Sequence, residues 1–383
     1  MTSNHPTILV IFGATGDLAH RYLLPAIKQM KTDKILPEKF EMILASRSDY
    51  STLKYRIDES DKKMGSGAQK LFHLAVPEKA QKEVLDFIAL SNLADSHTKI
   101  MLEKPFGRDL ESAKKLVDHV AKYFKEDQVY RVDHYLARET AQDFIKKRLT
   151  DKNFEEKLNK NFVSSIEVIA SEKIDIEGRA NFYEQTGALR DFVQSHLLEL
   201  LALVLMKIPD GGEGIHTLRE AALWDLGIVC DVTKNECVAR GQYEGYKEEV
   251  KNPISKTETF VSVNLVSNDS RWQGVPITLS TGKAMREKYT RIFLTFKNGE
   301  KMAFDFATRN GKAVNGYVEV YKKAFAGESD YFTWSAEVLE SWRILDAIQK
   351  TWEVAKDDLI IYPKGANIED IIHLYAARQS RSS

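Results

Sequence analysis

Ile8-Leu9-Val10-Ile11-Phe12-Gly13-Ala14-Thr15-Gly16-Asp17-Leu18 decides the fold. An unbroken run of large apolar residues is what a parallel strand covered on both faces requires. It ends in glycine, and residues 22–30 (Tyr-Leu-Leu-Pro-Ala-Ile-Lys-Gln-Met) then have the look of an amphipathic helix. Strand, glycine turn and helix in that order let a pyrophosphate approach backbone amides at a helix N-terminus. The turn is open to two readings, a phosphate cradle built from Gly13, Ala14, Thr15, Gly16, Asp17 and Leu18, or a plain tight turn. Its place directly after the first strand favours the cradle.

Outward from there the pattern repeats. Residues 41–46 form a second apolar run that stops at Arg47, flanked by Ser46 and Ser48. The residue after the second strand of a dinucleotide fold meets the adenine ribose, where arginine suits a 2′-phosphate, so Arg47 favours NADP, with NAD the alternative. The bland alternative is one more exposed base. The polar stretch 49–70 reads as a surface helix and loops, 72–77 as a strand, 78–94 as a helix, 99–107 as a strand and 110–124 as another helix. Alternating short strands and helices imply a doubly wound α/β domain over 1–132. Ligands gather at the carboxyl ends of such strands, which draws attention to Lys104 and Pro105, although a fixed turn also needs proline.

Composition excludes several classes. Lys plus Arg number 55 against 56 Asp plus Glu, a formal charge of -1, so no overall charge bias points to nucleic acid or an anionic membrane. No apolar run spans a bilayer, and the start of the chain reads as a strand and not a signal peptide. Cys230 and Cys237 make neither a zinc site nor a disulfide framework, which suits a reduced cytoplasmic protein.

At 131–139, Arg-Val-Asp-His-Tyr-Leu-Ala-Arg-Glu concentrates titratable groups where the nucleotide-binding pattern ends. It reads either as a site or as a polar junction. Residues 162–170 alternate like a half-buried strand, and 187–206 read as one long, mostly apolar helix bearing Asp191 and His196. A histidine on such a face is ordinarily a satisfied core residue. Two titratable groups there are costly unless partnered, at about 2–7 kcal/mol for an unsatisfied polar group. Asp191, five residues before His196, falls off to one side on an α-helix. The last third reads as strands at 257–266, 275–280, 290–296, 301–306 and 316–323, then a helix near 336–353. Consecutive strands without helices imply a mainly antiparallel sheet, hence an α+β domain over 133–383.

Taken in order, GATGDLA (13–19), FHLAVP (72–77), EKPFGRDL (103–110), RVDHYLARE (131–139), EGRANFYEQTGALRDFVQSHLLE (177–199), VARGQY (238–243), TETF (257–260) and RWQGVPITLSTGKAM (271–285) resemble the glucose-6-phosphate dehydrogenase family. The resemblance implies a Rossmann-type NADP-binding domain followed by a substrate-binding and dimerisation domain. It implies oxidation of a hexose phosphate at C1, with His196 as general base and Asp133 as its carboxylate partner. By the same resemblance His134, Tyr135, Arg138, Lys283 and Lys288 meet the sugar phosphate, and Glu172 and Asp191 the sugar hydroxyls. Lys104 lies between cofactor and sugar, with Pro105 in the cis form, and a homodimer is expected. The chain departs from the family at His20 and Arg138, where lysine is usual, at Ala137 for glycine and at Ser195 for asparagine. The region 48–71 and the segments after 207 and 323 are shortened. Two alternatives stay open, the same chemistry on another sugar or sugar phosphate, and a catalytically weak NADP-binding protein.

Overall fold

The structure, a computed structural model, describes residues 5–176, 178–209, 214–229, 237–309, 312–313, 316–354 and 359–382. The chain divides into two compact units. One comprises Met1–Gly107, Glu111–Glu139 and Asn315–Val338, the other Arg108–Leu110, Thr140–Val314 and Leu339–Ser383. A boundary at 132 was expected; instead 133–139 stays with the first unit and 315–338 returns to it from far along the chain.

In the first unit, β1 (Thr7–Phe12), β2 (Phe40–Ala45), β3 (Gln69–Leu74), β4 (Thr98–Leu102) and β5 (Val129–Arg131) pair in the order β2-β1-β3-β4-β5. Every ladder is parallel, as the strand–helix alternation requires. All of β1 is buried, so its apolar run is covered on both faces. The chain leaves β1 on one side for β2 and passes back over it to β3, so the strand order reverses between β1 and β3. That crevice is where an open α/β sheet takes its ligand. Register sets Phe12 level with Ala45 and with Leu74, which brings Gly13, Ser46 and Ala75 to neighbouring strand ends.

The polar stretch 49–70 is more ordered than its composition suggests. It forms the helix Tyr50–Met64, with Leu53, Ile57, Ser60 and Met64 buried along one stripe. β3 starts earlier than the apolar run, at Gln69, because buried Lys70 finds Asp95 at 2.5 Å. Residues 316–323, read as a strand, belong instead to the helix Gly316–Ala326. The alternation Val318-Glu319-Val320 mimics a strand, but Tyr317, Val320, Tyr321, Ala324 and Phe325 recur at helical spacing and join the core formed by Leu9, Ile11, Leu71 and Met101.

The second unit holds β6 (Val163–Ser171), β7 (Leu226–Ile228), β8 (Val238–Tyr243), β9 (Phe260–Ser267), β10 (Ile277–Gly282), β11 (Tyr289–Phe296) and β12 (Lys301–Asp305), with a last strand Ile360–Tyr362. Their order is β12-β11-β6-β10-β9-β8 and then 360–362, with β7 on β9. The pairs β9–β10 and β11–β12 are antiparallel as expected. β6 inserts between β10 and β11 and runs parallel to β10, and the last strand runs parallel to β8, so the sheet is mixed and mostly antiparallel. The helix Ser335–Val354 follows the expected bounds closely. Among the described residues no helix is long and apolar enough to cross a membrane. Cys237 is disulfide-bonded, unlike the reduced state expected of it; Cys230 lies outside the described residues.

Candidate active site

The glycine turn of the first unit has the geometry of a close backbone approach. Gly13 takes φ +77°, and a Cβ placed there would lie 2.3 Å from the Ala75 carbonyl oxygen. Only glycine lets the ends of β1 and β3 come this close. The Gly16 amide donates to Gly13 O at 2.9 Å, and the helical backbone begins at Asp17, its first residues wound as a π-turn over Ala19–Leu23. Thr15 and Asp17 are exposed, while Ala14 is buried under the turn and Leu18 is half-buried. This cradle fits a dinucleotide pyrophosphate.

Arg47 opens a single 3-10 turn at the end of β2. Ser46 caps it, its amide and hydroxyl both donating to Asp49 Oδ2 at 2.7 and 2.6 Å. Those hydrogen bonds hold the Asp49 carboxyl below its ordinary range. Arg47 itself is 73% exposed and leans on Glu83 at 3.3 Å, a surface pair of little energetic weight that a phosphate can displace. The Lys104–Pro105 peptide is cis, as the resemblance implies.

Asp133 is 1% exposed and caps the one-turn helix His134–Ala137, its Oδ1 accepting the Tyr135 amide at 2.9 Å. The cap fixes one carboxylate oxygen and aims the following residues. The Arg138 guanidinium lies 3.8 Å over the Tyr135 ring, and Ala137 is wholly buried in the core. The arginine thus keeps a positive charge at this turn in a stacked geometry that lysine would not share.

In the second unit, parallel pairing of β6 and β10 sets Ser171 level with Gly282, so the next residue of each, Glu172 and Lys283, emerges at adjacent strand ends. Lys283 Nζ meets Glu172 Oε2 at 2.5 Å and lies 5.0 Å over the Tyr183 ring and 6.0 Å over that of Phe192. Phe192 stands edge-on to His196 at 5.3 Å between ring centroids. His196 is 3% exposed. Glu172, Lys283, Phe192 and His196, scattered over more than a hundred residues of sequence, thus form one polar-aromatic cluster. Lys288 is exposed just before β11.

The expected single helix over 187–206 is three segments: Ala180–Ala188, a π-helix over Leu189–Leu197, and Leu198–Leu205. The i→i+5 hydrogen bonding of the π-helix spans the same five-residue interval that separates Asp191 from His196. Gly187, at φ +69°, makes the join; a Cβ there would lie 2.3 Å from Glu258 Oε1. Glu258 Oε1 accepts the Leu189 amide at 2.9 Å, and burial raises its carboxyl above the ordinary value despite that hydrogen bond. Tyr183 and Glu258 were not singled out from the sequence. Burial, followed by the charges of Asp191 and Glu258, keeps the Tyr183 phenol protonated far above its usual range, and its hydroxyl has no hydrogen-bond partner among the described residues. The only sequence signal for them is an acid and a phenol inside otherwise matching motifs.

Comparison with known proteins agrees with this architecture. Models of the glucose-6-phosphate dehydrogenase NAD binding domain and C-terminal domain match residues 10–57 with 44–143, and 145–314, respectively. The two-piece match breaks where the chain was read as shortened. Glucose-6-phosphate 1-dehydrogenase of Rhizobium meliloti (strain 1021) is 32% identical over 355 residues, covering 78% of this chain and 72% of that protein. The enzyme of that name from Buchnera aphidicola subsp. Schizaphis graminum is 30% identical over 455 residues, covering 92% of each chain. A solved structure of glucose-6-phosphate dehydrogenase in complex with glucose-6-phosphate shares the fold, with TM-score 0.86 at 22% identity over 99% of this chain and 98% of that one. With both domains matched in order and relatives covered over most of their length, the chain belongs to the glucose-6-phosphate dehydrogenase family.

Proposed function

We propose that the protein oxidises glucose 6-phosphate at C1 to 6-phosphogluconolactone with NADP, the first step of the oxidative pentose phosphate pathway. The observation that carries this is the Glu172–Lys283 pair, buried against Phe192, which in turn abuts His196. Acceptors, a cation and an imidazole in one buried cluster are what a polyhydroxylated anion with a reacting hydroxyl requires.

His196 takes the proton of the C1 hydroxyl, a task suited to imidazole because its ordinary pKa lies near working pH. Asp133 is the carboxylate that orients this ring and stabilises the imidazolium. Glu172 and Asp191 accept from sugar hydroxyls. His134, Tyr135, Arg138, Lys283 and Lys288 supply donors and charge for the phosphate, and Lys104 with Pro105 borders both ligands. NADP, when bound, supplies the hydride acceptor. The turn Gly13, Ala14, Thr15, Gly16, Asp17 and Leu18 holds its pyrophosphate, its shape fixed by the Gly13 amide donating to Ala45 O and the Gly16 amide to Gly13 O, and Arg47 holds its 2′-phosphate. Phosphorylated sugars and NADP are retained inside cells, which supports a cytoplasmic enzyme, and the family supports a homodimer.

Purified protein offered NADP or NAD with a panel of hexoses and hexose phosphates, followed by absorbance of the reduced cofactor, tests this. Turnover should be best with glucose 6-phosphate and NADP. NADP binding without turnover of any sugar would leave only a binding protein, and preference for a different sugar would reassign the substrate.

A further inference from the structure

The first unit contains a buried polar chain to which no role has been given above. Glu103, directly before Lys104, is 7% exposed. Its Oε1 meets His73 Nε2 at 2.8 Å and its Oε2 accepts the Tyr317 hydroxyl at 3.0 Å, while its backbone oxygen accepts Gln81 Nε2 at 3.1 Å. The other nitrogen of His73, Nδ1, lies 2.8 Å from the Tyr321 hydroxyl. Burial first, and then the Glu103 charge, holds both phenols well above their ordinary range, so each keeps its proton. With the His73 proton on Nε2, Tyr321 donates to His73, and His73 and Tyr317 donate to Glu103, while Gln81 Oε1 is buried with no hydrogen-bond partner among the described residues.

Packing alone does not account for such a chain. Apolar side chains of similar volume would fill the space without desolvating a carboxylate and an imidazole, and a buried ionic group is weak grounds for stability. What a buried carboxylate held by both an imidazole and a phenol provides is a single fixed geometry. Its position says what is fixed. Glu103 leaves the carboxyl end of β4 and His73 sits one residue from the end of β3, the side of the sheet where the Gly13 turn lies. The Tyr317 ring lies 6.0 Å from His134 at 16°, and also 6.0 Å from Tyr22 of the turn's own helix. At Gly316 a Cβ would meet His134 Cβ at 3.1 Å, so the helix Gly316–Ala326 packs flush against that residue.

We infer that Tyr317 is a positioning residue for the reaction, its hydroxyl fixing Glu103 and so Lys104 while its ring face fixes His134. The inference rests on the reading of the protein as a glucose-6-phosphate dehydrogenase, and it gives the helix missed in the sequence a task. Tyr317 acts through Glu103 and His134, on residues assigned to the ligands above.

Tyr317→Phe removes only the hydroxyl and Tyr317→Leu removes the ring as well. Displacement of Lys104 by a fraction of an ångström should lower kcat about tenfold in Tyr317→Phe, with KM for glucose 6-phosphate within about twofold. Tyr317→Leu should add a rise in that KM of about fivefold or more. Because the hydroxyl acts through Glu103, Glu103→Gln with Tyr317→Phe should be no slower than Glu103→Gln alone. A merely structural role would lower Tm and leave kcat and KM in place, and that result, or multiplicative losses in the double variant, overturns the inference. Should Glu103→Gln fail to fold, Tyr321→Phe, one link further out, must give a smaller loss of kcat than Tyr317→Phe; an equal or larger loss also overturns it. Wild-type protein run alongside separates the two claims, since a wild type without turnover refutes the functional reading and a normal wild type with an unaltered Tyr317→Phe refutes this one.

Discussion

Gly187→Ala strikes the join that places His196. The backbone there has φ +69°, and the new methyl would sit 2.3 Å from Glu258 Oε1 and 2.7 Å from its Cδ. A non-glycine residue in the left-handed region costs about 1–2 kcal/mol. The Glu258 carboxyl can yield only by releasing the Leu189 amide, and a buried donor left unsatisfied costs about 1–3 kcal/mol. Together these destabilise the second unit by roughly 2–5 kcal/mol, a fall in Tm of about 5–15 °C. The π-helix starting at Leu189 carries Asp191 and His196, so its first turn shifts with the glycine, and a misplacement near 1 Å should lower kcat by about 10²-fold. NADP affinity should be unchanged, because the glycine turn belongs to the other unit. Thermal melts, steady-state kinetics and a fluorescence titration with NADP read the three quantities. A variant with wild-type Tm and kcat would refute the reasoning, and so would one that loses NADP affinity and kcat in parallel.

Arg47→Ala should weaken NADP by the loss of a charge-assisted hydrogen bond, about 1.5–3 kcal/mol, and leave NAD nearly unaffected; equal weakening of both in paired titrations would contradict the 2′-phosphate role. Glu258 gives a pH dependence of defined sign. Its folded pKa is raised above the ordinary carboxyl value, mainly by burial, so its contribution to stability is fully present below that ordinary value and is lost as pH rises through the folded one. Glu258→Gln, permanently neutral, should flatten that fall, which sets in above the ordinary carboxyl value of about 4.3, in denaturant melts, and profiles parallel to wild type would exclude Glu258 as the source.

What could be read from the sequence was what local pattern encodes. The run 8–12 and the turn at Gly13 announce a buried strand and a close backbone approach, because both depend on consecutive residues. The helix Gly316–Ala326 was missed because alternating valine and a charged residue has the period of a strand until partners are known; its register is set by β1 and β3 side chains some 250–310 positions earlier. The parallel pairing of β6 with β10 is likewise non-local, and with it the meeting of Glu172 and Lys283. The π-helix escaped because no residue pattern distinguishes i→i+5 from i→i+4 hydrogen bonding, so Asp191 was set aside from His196. Both residues entered the candidate site through the family resemblance.

As the base of an NADP-dependent sugar-phosphate dehydrogenase, His196 should be indispensable to turnover. The most direct measurement is the turnover of glucose 6-phosphate by His196→Asn, paired with its dissociation constant for NADP. The kcat should fall by about 10²–10⁴-fold, the usual contribution of a general base, with NADP affinity as in the wild type. A His196→Asn enzyme that turns over near the wild-type rate would contradict it.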